Sequence, residues 1–245
     1  MKPALRFLAL AAAAGLLAAC SGGNRVNVLV PDGSASFALM DFSQPLPLDP
    51  VPAGWYHRKF FRTSPMDISL VKKDGRASIR LATHGSGSML YRYVDVDLDS
   101  YPTLGWDWFI EQPITSDADE MTIAGDDHPA RIYMQFLSAG GEAHSMEIIW
   151  GNRKLRSGDW KYLTFSGKPF PHYVANGGND NIGRWHHQRV ELGKLYREQW
   201  GEPRGARLVE IALFSDTDQT GAQSIAYFSD IRIGKSRQDR PQQGP

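Results

Sequence analysis

The chain has 245 residues, 27 of them Lys or Arg and 27 Asp or Glu, so its formal net charge is zero. That balance gives no electrostatic case for nucleic acid, which needs a clustered excess of cations. With Cys20 as the one cysteine there is no disulfide framework and no Cys-based zinc site, so an apolar core must hold the fold.

At the start of the chain, Lys2 and Arg6 introduce an unbroken apolar run from Phe7 to Leu17, and small residues follow to Cys20. The run is shorter than the ~20 residues a helix needs to cross a bilayer. A charged start, an apolar middle and a small-residue end have the layout of a signal peptide. Leu17-Ala18-Ala19-Cys20 resembles the bacterial lipobox, in which the thiol is acylated and cleavage makes Cys the new N-terminus. Residues 1–19 are therefore expected to be removed, leaving lipidated Cys20 as a membrane anchor. Ser21 after it, in place of Asp, implies sorting to the outer membrane, facing the periplasm. The alternative is a plain secretory signal with an incidental cysteine. Cleavage removes two of the 27 basic residues and none of the 27 acidic ones, leaving a net charge of −2. No basic patch is left to reinforce the acyl chains.

Residues 20–36 read as lipidated Cys20, a Gly-rich tether and a lead-in. Residues 37–234 read as a single domain, and 235–245 as a polar, disordered tail. Strand signals dominate the domain, separated by Gly, Pro, Asp and Asn. Ile68–Lys72, the turn pair Asp74-Gly75 and Ala77–Ala82 form a hairpin signature. Further strands are expected at Met89–Val96, Leu104–Ile110, Ala130–Leu137, Ser145–Trp150, Trp160–Ser166, Val209–Phe214 and Ile225–Ile233. One short helix is expected near residues 190–199, stopped by Gly201. Many short strands and one helix point to an all-β fold, a two-sheet antiparallel jelly-roll-type β-sandwich.

Alternation sorts the side chains between faces. Ile132, Met134 and Phe136 are expected inward, with Arg131, Tyr133 and Gln135 outward. In the last strand Ile225, Tyr227, Ile231 and Ile233 are expected inward, with Phe228, Asp230 and Arg232 outward. Glu147 and Glu210 fall opposite the apolar sets of their strands. If these strands are neighbours, one sheet face carries Arg, Tyr, Gln, Glu and Asp, either as a grip for a polar ligand or as an ordinary solvated surface.

Three clusters carry chemical interest. Trp106 and Trp108 offer a sugar-stacking pair, but they share parity with Leu104 and Ile110, which favours core packing. Gly125-Asp126-Asp127-His128-Pro129-Ala130-Arg131 suits either a loop binding a cation or hydroxyl groups, or a structural Asp–Arg bridge. Asp216-Thr217-Asp218-Gln219-Thr220-Gly221 resembles a calcium-binding loop, with Asp216 and Asp218 as ligands of a structural Ca2+; the alternative is a tight Asp-rich turn. His186 and His187 are adjacent, lack the spacing of paired metal ligands, and are expected on the surface before the helix. No Gly-x-Ser-x-Gly elbow, phosphate loop or dinucleotide fingerprint occurs.

Taken in order, Tyr101-Pro102 to Trp108, Asp126-Asp127 to Phe136, Ile149-Trp150-Gly151, Trp200-Gly201-Glu202-Pro203, Ile211 to Gly221 and Phe228-Ser229-Asp230-Ile231 resemble bacterial domain-of-unknown-function family 3047 (DUF3047). The likeness covers about residues 37–234. It implies a galactose-binding-like β-sandwich of the kind found in carbohydrate-binding modules, and it brings no established activity. By position it marks Asp126, Asp127, Arg131, Asp216 and Asp218 as the ligand-binding set.

Three functions from different classes fit these features. The favoured one is a non-catalytic module binding a glycan or cell-envelope ligand at the membrane surface. A glycosidase or lyase would pair Asp126 or Asp127 with Asp216, Asp218, Glu147 or Glu210. An envelope scaffold binding another protein would show a broad apolar patch.

Overall fold

The computed structural model describes residues 26–42 and 51–236. The signal peptide, Cys20 and residues 237–245 of the expected tail lie outside the described residues. The first half of the chain gives β1 (Val28–Leu29), β2 (Ser36–Ala38), β3 (Tyr56–Lys59), β4 (Asp67–Lys73), β5 (Arg76–His84), β6 (Gly87–Asp97) and β7 (Thr103–Gln112). The second half gives β8 (Arg131–Leu137), β9 (Ala143–Gly151), β10 (Trp160–Phe165), β11 (Lys168–Gly177), β12 (Trp185–Glu191), α1 (Leu192–Trp200), β13 (Arg207–Asp216) and β14 (Gln223–Gly234).

The strands form two sheets, and the chain is the expected jelly-roll-type β-sandwich. One sheet runs β1-β6-β13-β8-β9-β11-β10, with β3 also on β6. The other runs β12-β7-β14-β5-β4, with β2 also on β14. Most pairs are antiparallel; β1 on β6 and β11 on β9 are parallel. The last two strands are therefore interior, β13 between β6 and β8, and β14 between β7 and β5. The hairpin joining β4 and β5 turns at Asp74-Gly75, both at positive φ (52° and 76°), as the mirror-image hairpin turns require.

The core fills the space between the sheets. Trp106 and Trp108 are fully buried, so they pack the interior instead of forming a sugar platform. Trp108 meets Trp106, Trp150 and Phe228 edge-on, with ring centroids 5.2, 5.4 and 6.1 Å apart. Ile132, Met134 and Phe136 are buried in the same core, as their alternation requires.

The last strand departs from the expected pattern. Ala226, Phe228, Ile231 and Ile233 face the core, while Tyr227 turns to the outer face, opposite Arg80 and Phe109. A β-bulge causes this. The register against β7 shifts between Ser229 and Arg232, where Asp230 takes φ of 45°, and one extra residue reverses the parity. Five strands, β1, β2, β3, β11 and β12, fall outside the stretches that the sequence marks. β11 contains Pro169 and Pro171, which argue against a central strand, but both precede the stretch from His172 that pairs with β9. β12 takes His186, His187 and Val190, the last expected in the helix, and pairs them with β7. The helix begins at Leu192 and ends at Gly201, which has φ of 89°.

Replacing Trp108 with Ala should lower stability by about 3–5 kcal/mol, read from the urea midpoint of the full-length protein. Tyr162→Ala, at a side chain with 51% exposure, should cost far less. Similar losses for the two would show that the tryptophan cluster is not the centre of the core.

Candidate functional site

Arg131 opens β8 and points to the outer face of the larger sheet. The registers place Glu147 of β9, His172 of β11, Lys161 of β10 and Asp216 of β13 on that same face. Asp126 and His128 join them from the connection before β8. All seven side chains are buried, although five carry formal charge in their ordinary states.

The guanidinium is saturated. Its Nε donates to Glu147 Oε2 at 2.7 Å, and Nη1 donates to Asp216 Oδ2 and the Asp126 carbonyl, both at 2.7 Å. Nη2 lies 2.6 Å from Glu147 Oε2, 3.3 Å from Asp126 Oδ2 and 3.3 Å from His172 Nε2. Lys161 Nζ donates to Asp126 Oδ1 at 2.5 Å and faces His128 Nε2 at 3.1 Å. Each histidine has Nδ1 at 3.0 Å from a carbonyl, Trp150 for His128 and Phe170 for His172. Nδ1 therefore carries the hydrogen, and the Nε2 lone pair accepts from the cation. Both rings are neutral. Burial and the adjacent cations hold His172 down to about 3 and His128 well below the usual histidine range.

The carboxylates divide by environment. Burial acts to raise Asp126, but the cations Arg131 and Lys161 outweigh it and keep this group ionised far below the usual range. Burial pushes Glu147 up to about 7, against the pull of Arg131. Burial also raises Asp216 well above the usual range, with Asp127, Asp126 and Asp218 adding repulsion.

A second group adjoins the first through Asp216. Fully buried Asp127 accepts the backbone N–H of Gln219 at 3.3 Å and of Thr220 at 2.7 Å, plus the Thr220 hydroxyl at 2.5 Å. It thereby fixes the acidic turn after β13. One carboxylate oxygen from each of Asp127, Asp216 and Asp218 lies within 4.8 Å of the others, a spacing that fits a hard cation. Asp126, Asp127, Arg131, Asp216 and Asp218, far apart in sequence, are thus gathered at one end of the sandwich. Asp126 and Asp216 form the structural bridge to Arg131. Asp126, Asp127, Arg131 and Asp216 are buried, and Asp218 is half-buried.

The solvent-facing part of the same sheet face is different in kind. Tyr56 of β3 and Tyr91 and Tyr93 of β6 are half-buried, with ring centroids 5.4–5.8 Å apart. Arg58 lies over the Tyr91 ring at 4.2 Å and bonds Glu210 Oε2 at 2.8 Å. Glu210 sits outward by the same alternation that places Ala212 and Asp216 there, and the bulge between Leu208 and Glu210 returns Leu208 to the core. Its other oxygen, Oε1, is buried without a hydrogen-bond partner. Tyr133, nearby on β8, bonds Ser145 at 2.9 Å and packs on Phe170. Burial, followed by contact with Tyr91, pushes the Tyr93 hydroxyl up to about 12.

The family model described as "Protein of unknown function (DUF3047)" matches residues 53–232. The chain belongs to this family. A search of curated proteins returned no match for this DUF3047 chain. Similar solved structures include the family 11 carbohydrate-binding module of a cellulosomal cellulase of Clostridium thermocellum. It shares 8% identity and a TM-score of 0.43, over 82% of this chain and 95% of that one. The family 30 module of the same organism's Cel9D-Cel44B shares 13% identity and a TM-score of 0.38, over 70% and 83%. Endoglucanase cel12A from Rhodothermus marinus shares 7% identity and a TM-score of 0.39, over 74% and 92%.

The buried groups give the DUF3047 chain an asymmetric response to pH. Glu147, raised to about 7 from 4.5, contributes stability that is full below 4.5 and lost as pH rises through 7. His172, lowered to about 3 from 6.5, contributes stability that is full above 6.5 and lost as pH falls through 3. The two trends offset each other between 4.5 and 6.5, and below 4.5 the His172 loss continues, joined by those of His128 and Asp126, which are depressed as well. Melting temperature should change little across the first window and drop steeply below it. His172→Gln keeps an acceptor for Arg131 without titrating, so it should flatten the acid limb. An unchanged limb would remove His172 from the account.

Proposed function

We propose that this protein is a non-catalytic binding module that holds a glycan or cell-envelope polymer on the outer face of its larger sheet. The carrying observation is Glu210 Oε1, a buried acceptor without a donor beside Arg58 and the Tyr56–Tyr91–Tyr93 cluster. A buried acceptor left unmet costs about 1–3 kcal/mol, and a ligand hydroxyl supplies what it lacks. Sugars bring hydroxyl donors together with C–H faces that pack on aromatic rings, so this combination suits them. The same proposal places the mature chain in the cell envelope, anchored through lipidated Cys20 and facing the periplasm from the outer membrane.

The alternative, a carboxylate-dependent glycan-active enzyme, draws on one observation. Glu147 is raised to about 7 and lies on the same sheet face, which suits a proton donor near neutrality. Arg131 holds its carboxylate, and only 3% of the residue is exposed, which favours the binding reading.

Binding to a panel of immobilised envelope and plant polysaccharides should weaken about tenfold for Glu210→Gln and for Tyr93→Ala, with melting temperature near that of wild type. Binding unaffected by both changes would sink the proposal. New reducing ends that appear with wild type and vanish with Glu147→Gln would transfer the assignment to the enzyme.

A structural calcium ion belongs to the same proposal, with Asp127, Asp216 and Asp218 as its oxygen ligands. Burial and mutual repulsion raise both Asp216 and Asp218, and a dication relieves that repulsion. Calcium at a hundredfold excess over its Kd should stabilise the full-length protein by about 2.7 kcal/mol relative to chelator. Asp218→Asn should abolish the gain. No shift in wild type would leave the stretch as a turn alone. For the anchor, radiolabelled palmitate should enter wild type and not Cys20→Ala.

A further inference from the structure

Beside the Asp127–Thr220 contact lies a cavity of about 410 Å³, lined by Ile114, Glu120, Gly125, Asn152, Lys154 and Thr220. It shares no residue with the tyrosine face. Three connections build it, the one before β8, the one after β9 and, through Thr220, the turn between β13 and β14.

Glu120 holds the first two connections together. Its carboxylate accepts the backbone N–H groups of Asn152 at 2.8 Å, Arg153 at 3.1 Å, Leu155 at 2.9 Å, and Lys154. Four donors converging on one buried acid give the cavity a fixed wall. Gly125 makes the opposing turn tight, since a Cβ there would lie 2.4 Å from the Asp119 carbonyl oxygen.

The polar groups of the lining are mostly committed. The Thr220 hydroxyl donates to Asp127. Asn152 Nδ2 donates to the Asp127 carbonyl at 2.7 Å, which fixes the direction of the amide. That leaves Asn152 Oδ1 buried and without a donor. At the rim, Arg153 pairs with Asp117 at 2.9 Å and Lys154 with Asp119 at 3.1 Å, linking the two connections through exposed ion pairs. Such pairs are weak, so they do not seal the mouth.

We propose that this cavity binds a single neutral sugar unit, a second ligand site independent of the sheet face. The unmet requirement is a hydrogen-bond donor for Asn152 Oδ1. A hydroxyl meets it, and the hydroxyls around it can both donate to Asp117 and Asp119 and accept from Arg153 and Lys154. The rim carries two charges of each sign, which gives no net attraction to an anion or a cation. The volume lies near the lower end of the roughly 300–1,000 Å³ range of small-molecule pockets, suiting one unit and not a chain.

The test is an amide NMR titration of the full-length protein with D-glucose, D-galactose, D-mannose and N-acetyl-D-glucosamine in turn. At least one should give saturable shifts at Asn152, Lys154 and Thr220, weakened about tenfold in Asn152→Leu. The wild-type titration stands alone if that variant fails to fold. No saturable shift at these three amides with any of the sugars overturns the proposal. Shifts confined to Tyr91 and Tyr93 also overturn it and leave the sheet-face reading intact. Shifts at the cavity alone support it whatever becomes of that reading.

Discussion

Arg131 brings five N–H donors into a volume that water barely reaches, and they end on acceptors from four parts of the chain. β9 supplies Glu147, β11 supplies His172, β13 supplies Asp216, and the preceding connection supplies Asp126. A buried guanidinium is tolerable only with its donors matched, because desolvating a charge otherwise costs several kcal/mol. Those acceptors must therefore arrive together. Their convergence fixes the stagger of four neighbouring strands and ties the loop before β8 to the sheet. Asp216 then extends the arrangement to Asp127 and the acidic turn, so the end of the sandwich behaves as one polar unit.

The remainder of that sheet face depends on this unit. β13 carries Asp216 at one end and, six residues earlier, Glu210 on the same face. Regular alternation from Glu210 to Asp216 makes both project outward. The buried end immobilises the strand, and the strand presents Glu210 to Arg58 and the tyrosines. Charge is thus buried and matched where it organises the fold, and left partly unmet at Glu210 beside the half-buried tyrosines. The cavity beside Asn152 repeats the pattern, with Glu120 saturated and the neighbouring amide oxygen free.

Alternation alone carried most of the fold. Strand signals marked nine of the strands in the sandwich, and alternation put Ile132, Met134 and Phe136 inside and set Arg131, Glu147 and Glu210 on the opposite face. Tyr91 and Tyr93 were open to the same argument, since they alternate with Leu90, Val94 and Val96. What escaped had local causes. The extra residue at Asp230 inverts the parity of half a strand, and nothing in composition announces it. Pro169 and Pro171 disguised β11, and with it His172. Lys161 falls between aromatic residues of an edge strand, where a solvated lysine is the ordinary expectation; only the strand order places it beneath Asp126. The acidic clusters were visible as sequence, but their meeting through Asp216 is a matter of strand order, which one chain does not encode locally.

That strand order also governs when the molecule can form. β13 and β14 come last from the ribosome, yet each occupies the middle of a sheet, between partners made much earlier. Until residues 207–234 are available, β6 and β8 have no strand between them, nor do β5 and β7. Early segments therefore wait with open edges, and long-range pairing of this kind is slow and exposed to misassociation. Folding is in this sense a terminal event. Truncating β14 would leave the smaller sheet split down its centre, while trimming at the short edge strand β1 would remove only a border.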